Sequence, residues 1–374
     1  MADLKKIRIL YVITSLQAAG AEKLVVGLAC NLNKDKFETA IVSTSDLISD
    51  HLLKELKNNA VPLWYFKNGP GYDIRKHLFV DSIIRLYHPD IVHTHLSGLF
   101  FSLPAIFLRK IPVKIHTVHT YFKKDIRFNL HFIYSFCFKA GVIPVGVSEE
   151  VGESIGRFCK VGEQVVIPSG ININMFQKPS VAREEWRKKE GFSQDDLILV
   201  SVARLSPEKN HRLLLRIFAE VSVFHSGAQL ILAGEGNLLT SLKREAEKLK
   251  ISAKVHFLGN RPDIPEILSA ADIFVLFSDY EGRSFAVMEA MAAGKPVVIT
   301  NGIEGADFLT NGVNGIVVPC DDIKASVKAV NSLIENPQLM VSIGRAASTF
   351  AVENFGVDKM VDKYESLYVA SFKK

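Results

Sequence analysis

The sequence predicts an α/β protein built from two Rossmann-like domains that face each other across a cleft. Three observations carry that reading. The chain has 374 residues, too many for one ordinary core. Short apolar runs rich in β-branched residues alternate with helix-like segments, the pattern of parallel strands covered by helices on both faces. The alternation then restarts near the middle of the chain.

Residues 7–14 form the first such run, followed by a glycine-containing turn and a helix over 21–32. Residues 40–43, 90–93, 113–118 and 142–147 are the further strands of the first half. Strands in the second half fall at 197–203, 229–233, 254–258, 273–276 and 296–300, with helices over 211–223 and 238–249 among them. The stretch 176–196 is polar. It holds Pro179 and the charged run 183–190, and it reads as the linker. The expected domains are residues 1–178 and 179–353. Open sheets of this kind bind ligands at the carboxyl ends of their strands, so the loops there hold the candidate chemistry.

Composition narrows the class. No stretch reaches the roughly 18 apolar residues of a membrane span. The first eight residues are charged and lack the apolar core of a signal peptide. Cys30, Cys137, Cys159 and Cys320 are scattered without metal-type spacing, which fits buried thiols in a reducing cytoplasm. Residues 1–180 carry 22 Lys and Arg against 15 Asp and Glu, a net +7, while the remainder carries 23 against 25. A basic first half suits an anionic partner such as a phosphate-bearing acceptor or an acidic membrane surface, and also suits plain solubility. No nucleic-acid partner is expected.

The strongest chemical signal is SDYEGRSFAVMEAMAAGKP at 278–296. Tyr280 to Arg283 reads as a loop after a strand. Ser284 can cap a helix running to about Ala293, and Gly294 and Pro296 end it. The N–H groups of Arg283, Ser284 and Phe285, next to Gly282, would form an anion site able to hold a diphosphate. Glu281 precedes that site, where a carboxylate can hold sugar hydroxyls. Glu289 lies a turn and a half into the helix, in reach of a ribose. Two solvent-facing glutamates on an ordinary βα unit are the bland alternative.

A second signal is VARLSPEKN at 202–210, at the end of the first strand of the second half. The guanidinium of Arg204 can fork onto phosphate oxygens and Lys209 adds a point charge, although a surface loop with two solvated cations has the same look. A third is LQAAGAEK at 16–23, where Gly20 permits close backbone approach at a helix start or simply makes a tight turn. Eight of the eleven histidines lie in the first half, and His93, His95, His116 and His119 sit at two strand ends. No acidic or cysteine ligand set accompanies them, so no metal is expected. His119 is the functional candidate, since a hydrogen-bond donor there can touch a transferred sugar. His93 and His116 suit satisfied core positions. The segment 121–139 mixes seven aromatics with Lys123, Lys124, Arg127 and Lys139, as a membrane-interface stripe or a core-packed helix would.

Taken together these residues resemble glycosyltransferase family 4, the retaining GT-B enzymes. The landmarks run in the expected order along nearly the whole chain. They are Gly20, DIVHTH ending at His95, His119, VIPSGIN at 166–172, and Ala203-Arg204 through Lys209-Asn210. AGEG at 233–236, LGNR at 258–261, the pair Glu281 and Glu289, and NGVNGIVVP at 311–319 complete the set. The resemblance implies that Arg204 and Lys209 grip the donor diphosphate, Glu289 binds the ribose, Glu281 contacts sugar hydroxyls, and His119 bonds the donor sugar. It implies that the backbone near Arg261 meets the base, and that the tail from about 354 to 374 crosses back onto the first domain. It implies a hexose or N-acetylhexosamine moved with retention from a nucleotide sugar, UDP-linked by family frequency, to a glycan or lipid-linked acceptor. Neither a cofactor nor a metal is implied. Cytoplasmic placement with peripheral contact at the inner face of an anionic membrane fits that reading. Ala19, Ser169, Asn172, Arg283 and Asp307 depart from the usual pattern, and the last two leave the donor open. A UDP-sugar 2-epimerase on the same fold and a non-catalytic nucleotide or carbohydrate binder remain as alternatives. An NAD-dependent dehydrogenase would need G-x-G-x-x-G after a first strand, which neither half has.

Overall fold

The computed structural model describes residues 6–373 except 18, 70, 123–129, 163, 282 and 303–306. The chain forms two units, one of Met1–Gly170 with Val357–Lys374 and the other of Ile171–Gly356.

The first unit runs β1 (Ile7–Ile13), α1 (Gly20–Asn31), β2 (Phe37–Ser43), α2 (Asp50–Asn58), β3 (Leu63–Tyr65), α3 (Arg75–Tyr87), β4 (Ile91–His95) and α4 (Gly98–Leu108). It continues with β5 (Val113–Val118), α5 (His131–Lys139), β6 (Ile143–Gly146), α6 (Glu149–Cys159) and β7 (Val165–Val166). Its sheet is parallel in the order β3-β2-β1-β4-β5-β6-β7. β1 is IRILYVI, and its last five residues are buried, because helices cover both faces and leave no polar side to alternate with.

The second unit runs α7 (Ile173–Gln177), α8 (Arg183–Glu190), β8 (Leu197–Val202), α9 (His211–Phe224), β9 (Ala228–Ala233), α10 (Leu239–Lys248), β10 (Val255–Gly259) and α11 (Ile264–Ala270). Then follow β11 (Ile273–Leu276), α12 (Phe285–Ala292), β12 (Val297–Thr300), β13 (Ile316–Val318), α13 (Ile323–Ile334) and α14 (Pro337–Asn354). Its parallel sheet has the order β10-β9-β8-β11-β12-β13. Alternate strand residues feed two cores. Ile198, Val200, Phe274 and Leu276 pack with Met288 and Met291 on one face. Leu199, Leu230, Val275 and Phe277 pack with Leu214 and Phe218 on the other.

The last helix, α15 (Val357–Phe372), returns to the first unit. Two buried tyrosines fasten it. The Tyr368 hydroxyl lies 2.7 Å from His93 Nδ1 and 3.2 Å from the Tyr11 hydroxyl, and Tyr364 reaches Thr117 Oγ1 at 2.9 Å.

Three strands are absent from the sequence reading, β3, β7 and β13. Each has only two or three residues, too short to show a period. The division also moves. The first crossing is at 170/171 rather than 178/179, because Ile171 and Phe176 are buried in the second unit's core. The return crossing is at 356/357 rather than near 354. The stretch 176–196 is no loose linker, since its charged run is α8, with Trp186 and Arg187 buried.

Arg187 explains how so polar a helix packs. Its fully buried guanidinium donates to the carbonyls of Ala270, Gln194 and Asp196 at 2.8–2.9 Å and to Asp272 Oδ2 at 2.9 Å. Arg183 and Lys295 donate to the neighbouring carbonyls of Ser269 and Ala271. Three cations thus satisfy the open end of α11 around one carboxylate. Burial pushes the Lys295 ammonium down to about 8. Removing a partner from a buried ionic network strands the remaining groups, at a cost of about 3–5 kcal/mol. We therefore expect Arg187→Met to lower the midpoint of the urea transition by that equivalent. An unchanged midpoint would show that α8 does not depend on this network.

Candidate functional site

In the second unit the loops leaving β8, β9 and β11 converge at the carboxyl end of the sheet. The loop after β8 is held from both sides. Ala203 and Leu205 donate to the carbonyls of Ala233, which ends β9, and of Glu235 on the loop after it, at 3.0 and 2.9 Å. The fit there is close. A Cβ on Gly234 would lie 2.0 Å from the Ala203 oxygen, and one on Gly236 would lie 2.2 Å from the Leu205 oxygen, so only glycine fits. On the other side Asp279 donates its N–H to the Glu208 oxygen at 2.9 Å, and Asn210 Nδ2 donates to Asp279 Oδ1 at 2.7 Å. Asn210 also caps α9 through Leu213 N–H, in the left-handed conformation at φ 45°.

This stitching brings Lys209 and Glu281 together. Lys209 Nζ lies 2.6 Å from Glu281 Oε1, with side-chain exposures of 14% and 21%, too little for water to screen the pair fully. Glu281 Oε2 has no hydrogen-bond partner among the described residues. Arg204 is exposed on the same loop.

Ser284 occupies the N-cap of α12 but makes no side-chain cap. Its buried Oγ, like that of Ser278, is without a partner among the described residues. The first turn of α12 also lacks an acidic residue, so the positive end of the helix is not neutralised locally. Glu289 lies buried inside α12 at 2% exposure. Phe285 packs against the core beside it, and Gly282 lies outside the described residues.

Two residues whose backbone was expected at the donor hold their side chains elsewhere. The Arg261 guanidinium is held by Asp263 at 2.6–2.7 Å and by Glu190 at 2.9 Å. Hydrogen bonds from Arg261 and Trp186 help hold the Asp263 carboxyl down at about 2. Only the backbone at Arg261 is left for a ligand. Arg283, one of the departures from the family pattern, lays its guanidinium over the rings of Phe308 and Phe355, 5.2 Å from each centroid. Asp307 is exposed.

In the first unit Gly20 opens α1 with Ala19 at its N-cap. The four histidines cluster at the ends of β4 and β5. Both nitrogens of His93 are engaged, by Tyr368 and by Thr117 Oγ1 at 2.8 Å, and His116 Nδ1 lies 2.9 Å from Thr94 Oγ1. His95 Nδ1 lies 3.0 Å from Nε2 of His119, which alone of the four keeps part of its surface exposed. Among the described residues no group of three or more His, Cys, Asp or Glu is placed to hold a metal.

The aromatic segment divides. On α5, Tyr134, Cys137 and Phe138 are buried, while Phe132 and Phe136 are 83% and 68% exposed. Lys123, Lys124 and Arg127 lie outside the described residues. No described helix is long and apolar enough to cross a membrane. The sequence reading missed Tyr364, Tyr368, Asn210 and Asp279, whose roles depend on partners far along the chain. The asparagine before a helical run was a capping signal that could have been used.

Residues 182–350 match the family model Glycosyl transferases group 1, and residues 18–175 match Glycosyltransferase Family 4. The chain is 26% identical to the UDP-Gal:alpha-D-GlcNAc-diphosphoundecaprenol alpha-1,3-galactosyltransferase of Escherichia coli, over 97% of each chain. It is 28% identical to the alpha-monoglucosyldiacylglycerol synthase of Streptococcus pneumoniae, over 79% of this chain and 70% of that one. The crystal structure of Anabaena HepE with UDP and glucose matches with a TM-score of 0.85 at 20% identity, covering 97% of this chain and 100% of the other. Sucrose-phosphate synthase of Thermosynechococcus elongatus matches with a TM-score of 0.78 at 18% identity, covering 98% and 99%. The chain belongs to the GT-B glycosyltransferases of the family 4 type.

The histidine cluster has a pH signature. Burial pushes His116 and His119 down to about 3, and His93 and His95 well below the usual imidazole value. A histidine that stays neutral in the fold but takes a proton when unfolded adds stability that is complete above about pH 6.5 and lost as pH falls below it. We expect none of the four rings to titrate between pH 5 and 8 by NMR. Stability should decline below about pH 6.5 by up to about 1.4 kcal/mol per pH unit for each neutral ring. A ring midpoint near 6.5 would contradict the burial argument.

Proposed function

We propose that this glycosyltransferase moves a hexose or N-acetylhexosamine, with retention, from a UDP-linked donor to a hydroxyl of a lipid-linked or glycan acceptor. The observation that carries the reading is the 2.6 Å contact of Lys209 with Glu281 beside the uncapped start of α12. When the bond from sugar C1 to the diphosphate oxygen breaks, the electron pair leaves with the diphosphate. Lys209, Arg204 and the N–H groups opening α12 meet that charge. The open oxygen of Glu281 accepts from a sugar hydroxyl. Glu289 accepts from the ribose, the backbone at Arg261 meets the base, and His119 donates to the transferred sugar. Gly20 gives room at the start of α1.

The acceptor oxygen bonds C1 on the face that the diphosphate leaves, and its proton passes to the departing phosphate oxygen. Side chains and helix dipole carry the neutralisation in this scheme, so it requires no metal. The printed names of relatives support the donor and acceptor classes. The E. coli relative uses UDP-Gal and a diphosphoundecaprenol-linked acceptor, and HepE was crystallised with UDP and glucose. The 2-epimerase option receives no support from matches that carry transferase names.

A membrane acceptor gives a use to exposed Phe132 and Phe136 on a basic first half, which would rest on an anionic surface.

Lys209→Ala and Glu281→Ala should each cut turnover at least about a hundredfold, the scale of one lost electrostatic contact at a developing charge. Near-normal turnover in both would remove these roles. UDP binding without turnover of any sugar by the unaltered chain would favour a non-catalytic binder. For the membrane contact, we expect binding to vesicles containing phosphatidylglycerol that weakens with salt and falls at least about tenfold in Phe132→Ser/Phe136→Ser. Equal binding to neutral vesicles, or none at low salt, would rule the contact out.

A further inference from the structure

His95 and His119 face each other through one nitrogen each. His95 ends β4 with no exposed surface, and its Nδ1 lies 3.0 Å from Nε2 of His119, just beyond β5. Two neutral imidazoles in this arrangement share a single proton. One nitrogen donates and the other accepts.

The far side of His95 decides the direction. Its Nε2 is buried and has no partner among the described residues. If Nε2 carried the proton, the ring would bury an N–H with no acceptor. If Nδ1 carries it, only a lone pair is left unmet at Nε2, and unmet acceptors are better tolerated inside proteins than unmet N–H groups. We propose that His95 donates its Nδ1–H to Nε2 of His119, and so holds His119 in the tautomer whose proton is on Nδ1. His95 is then a positioning residue. It touches no substrate but fixes which nitrogen of His119 can donate. Burial keeps both rings in the neutral form that this arrangement needs.

The backbone around His95 is built to hold the ring still. Leu96, the next residue, is left-handed at φ 52°, a conformation that side chains other than glycine adopt only under constraint. Its carbonyl accepts from the Tyr134 hydroxyl at 3.2 Å, and Ser97 N–H donates to Thr14 Oγ1 at 3.2 Å. Gly98 follows with its Cα pressed on β1, where a Cβ would stand 2.2 Å from the Val12 oxygen. The His93 ring lies against His95 at 4.2 Å between centroids and is itself held at both nitrogens.

The test is nitrogen NMR on the full chain labelled with 15N-histidine, with His119 assigned by its loss in His119→Asn. The expected result is the Nδ1–H pattern for His119 in the unaltered protein, turning to the Nε2–H pattern or a mixture in His95→Leu. His95→Asn keeps an N–H near the position of Nδ1 and should restore the original pattern. An Nε2–H pattern in the unaltered protein overturns the proposal without any variant having to fold. So does an unchanged pattern in His95→Leu. The kinetic arm rests on His119 touching the sugar. There kcat should fall at least about tenfold in His95→Leu, with donor KM within about twofold, and recover in His95→Asn. If the NMR result holds but His119→Ala leaves turnover intact, the tautomer assignment stands and the sugar contact is what fails.

Discussion

The joining of the loops after β8 and β11 in the second unit is the constraint on which the candidate site depends. Lys209 and Glu281 are 72 positions apart in sequence and 2.6 Å apart in space. The pair is shielded enough to matter and exposed enough to exchange its contacts. Around it, hydrogen bonds carry the positional load. Asp279 N–H meets Glu208, Asn210 meets Asp279, and the two glycines of AGEG admit the loop after β8 at contact distance. Charge placed by such a frame needs little rearrangement when a reaction redistributes it, which is where preorganised electrostatics gains most of its effect.

The first unit solves a different problem. It buries histidines and tyrosines together and links them to one another. Tyr11, Tyr368, His93, Thr117 and Tyr364 form a single chain of hydrogen bonds from β1 to α15 and β5. Burial pushes the Tyr364 and Tyr368 phenols upward as it pushes the histidines down, so every member is neutral at physiological pH. A neutral network avoids the desolvation cost of charge, and its directional bonds seat the last helix.

Much of the fold was legible because strands with both faces covered write themselves as apolar runs. Ile273–Leu276 and Val113–Val118 match the sequence reading at both ends. The misses have physical reasons. β3, β7 and β13 are too short to display a period, and α8 hides a buried arginine inside a charged run. At the candidate site, local grammar singled out Glu281, Glu289, Lys209 and the helix that carries Glu289, since glycine, serine and proline punctuate them. It gave no hint that Arg261 is held by Glu190 and Asp263, or that Arg283 lies on Phe308 and Phe355. Those partners come from other loops, and neither spacing nor residue type announces them. His95 drew no role of its own beside His119, and only its neighbours separate it from His93.

The ends of the second unit touch. Ile171 donates its N–H to the Phe355 oxygen at 2.8 Å, and Ile171 bridges to Gly356, so the segment that begins at 171 closes on itself at 356. In architectural terms the second unit is an insert whose two ends lie side by side. A host sheet can accept, exchange or lose such a segment without opening any of its own strand pairs. The first unit's last helix follows the insert, seated by Tyr364 and Tyr368 together with buried Met360 and Val361. Lineages built this way can vary one half at a time.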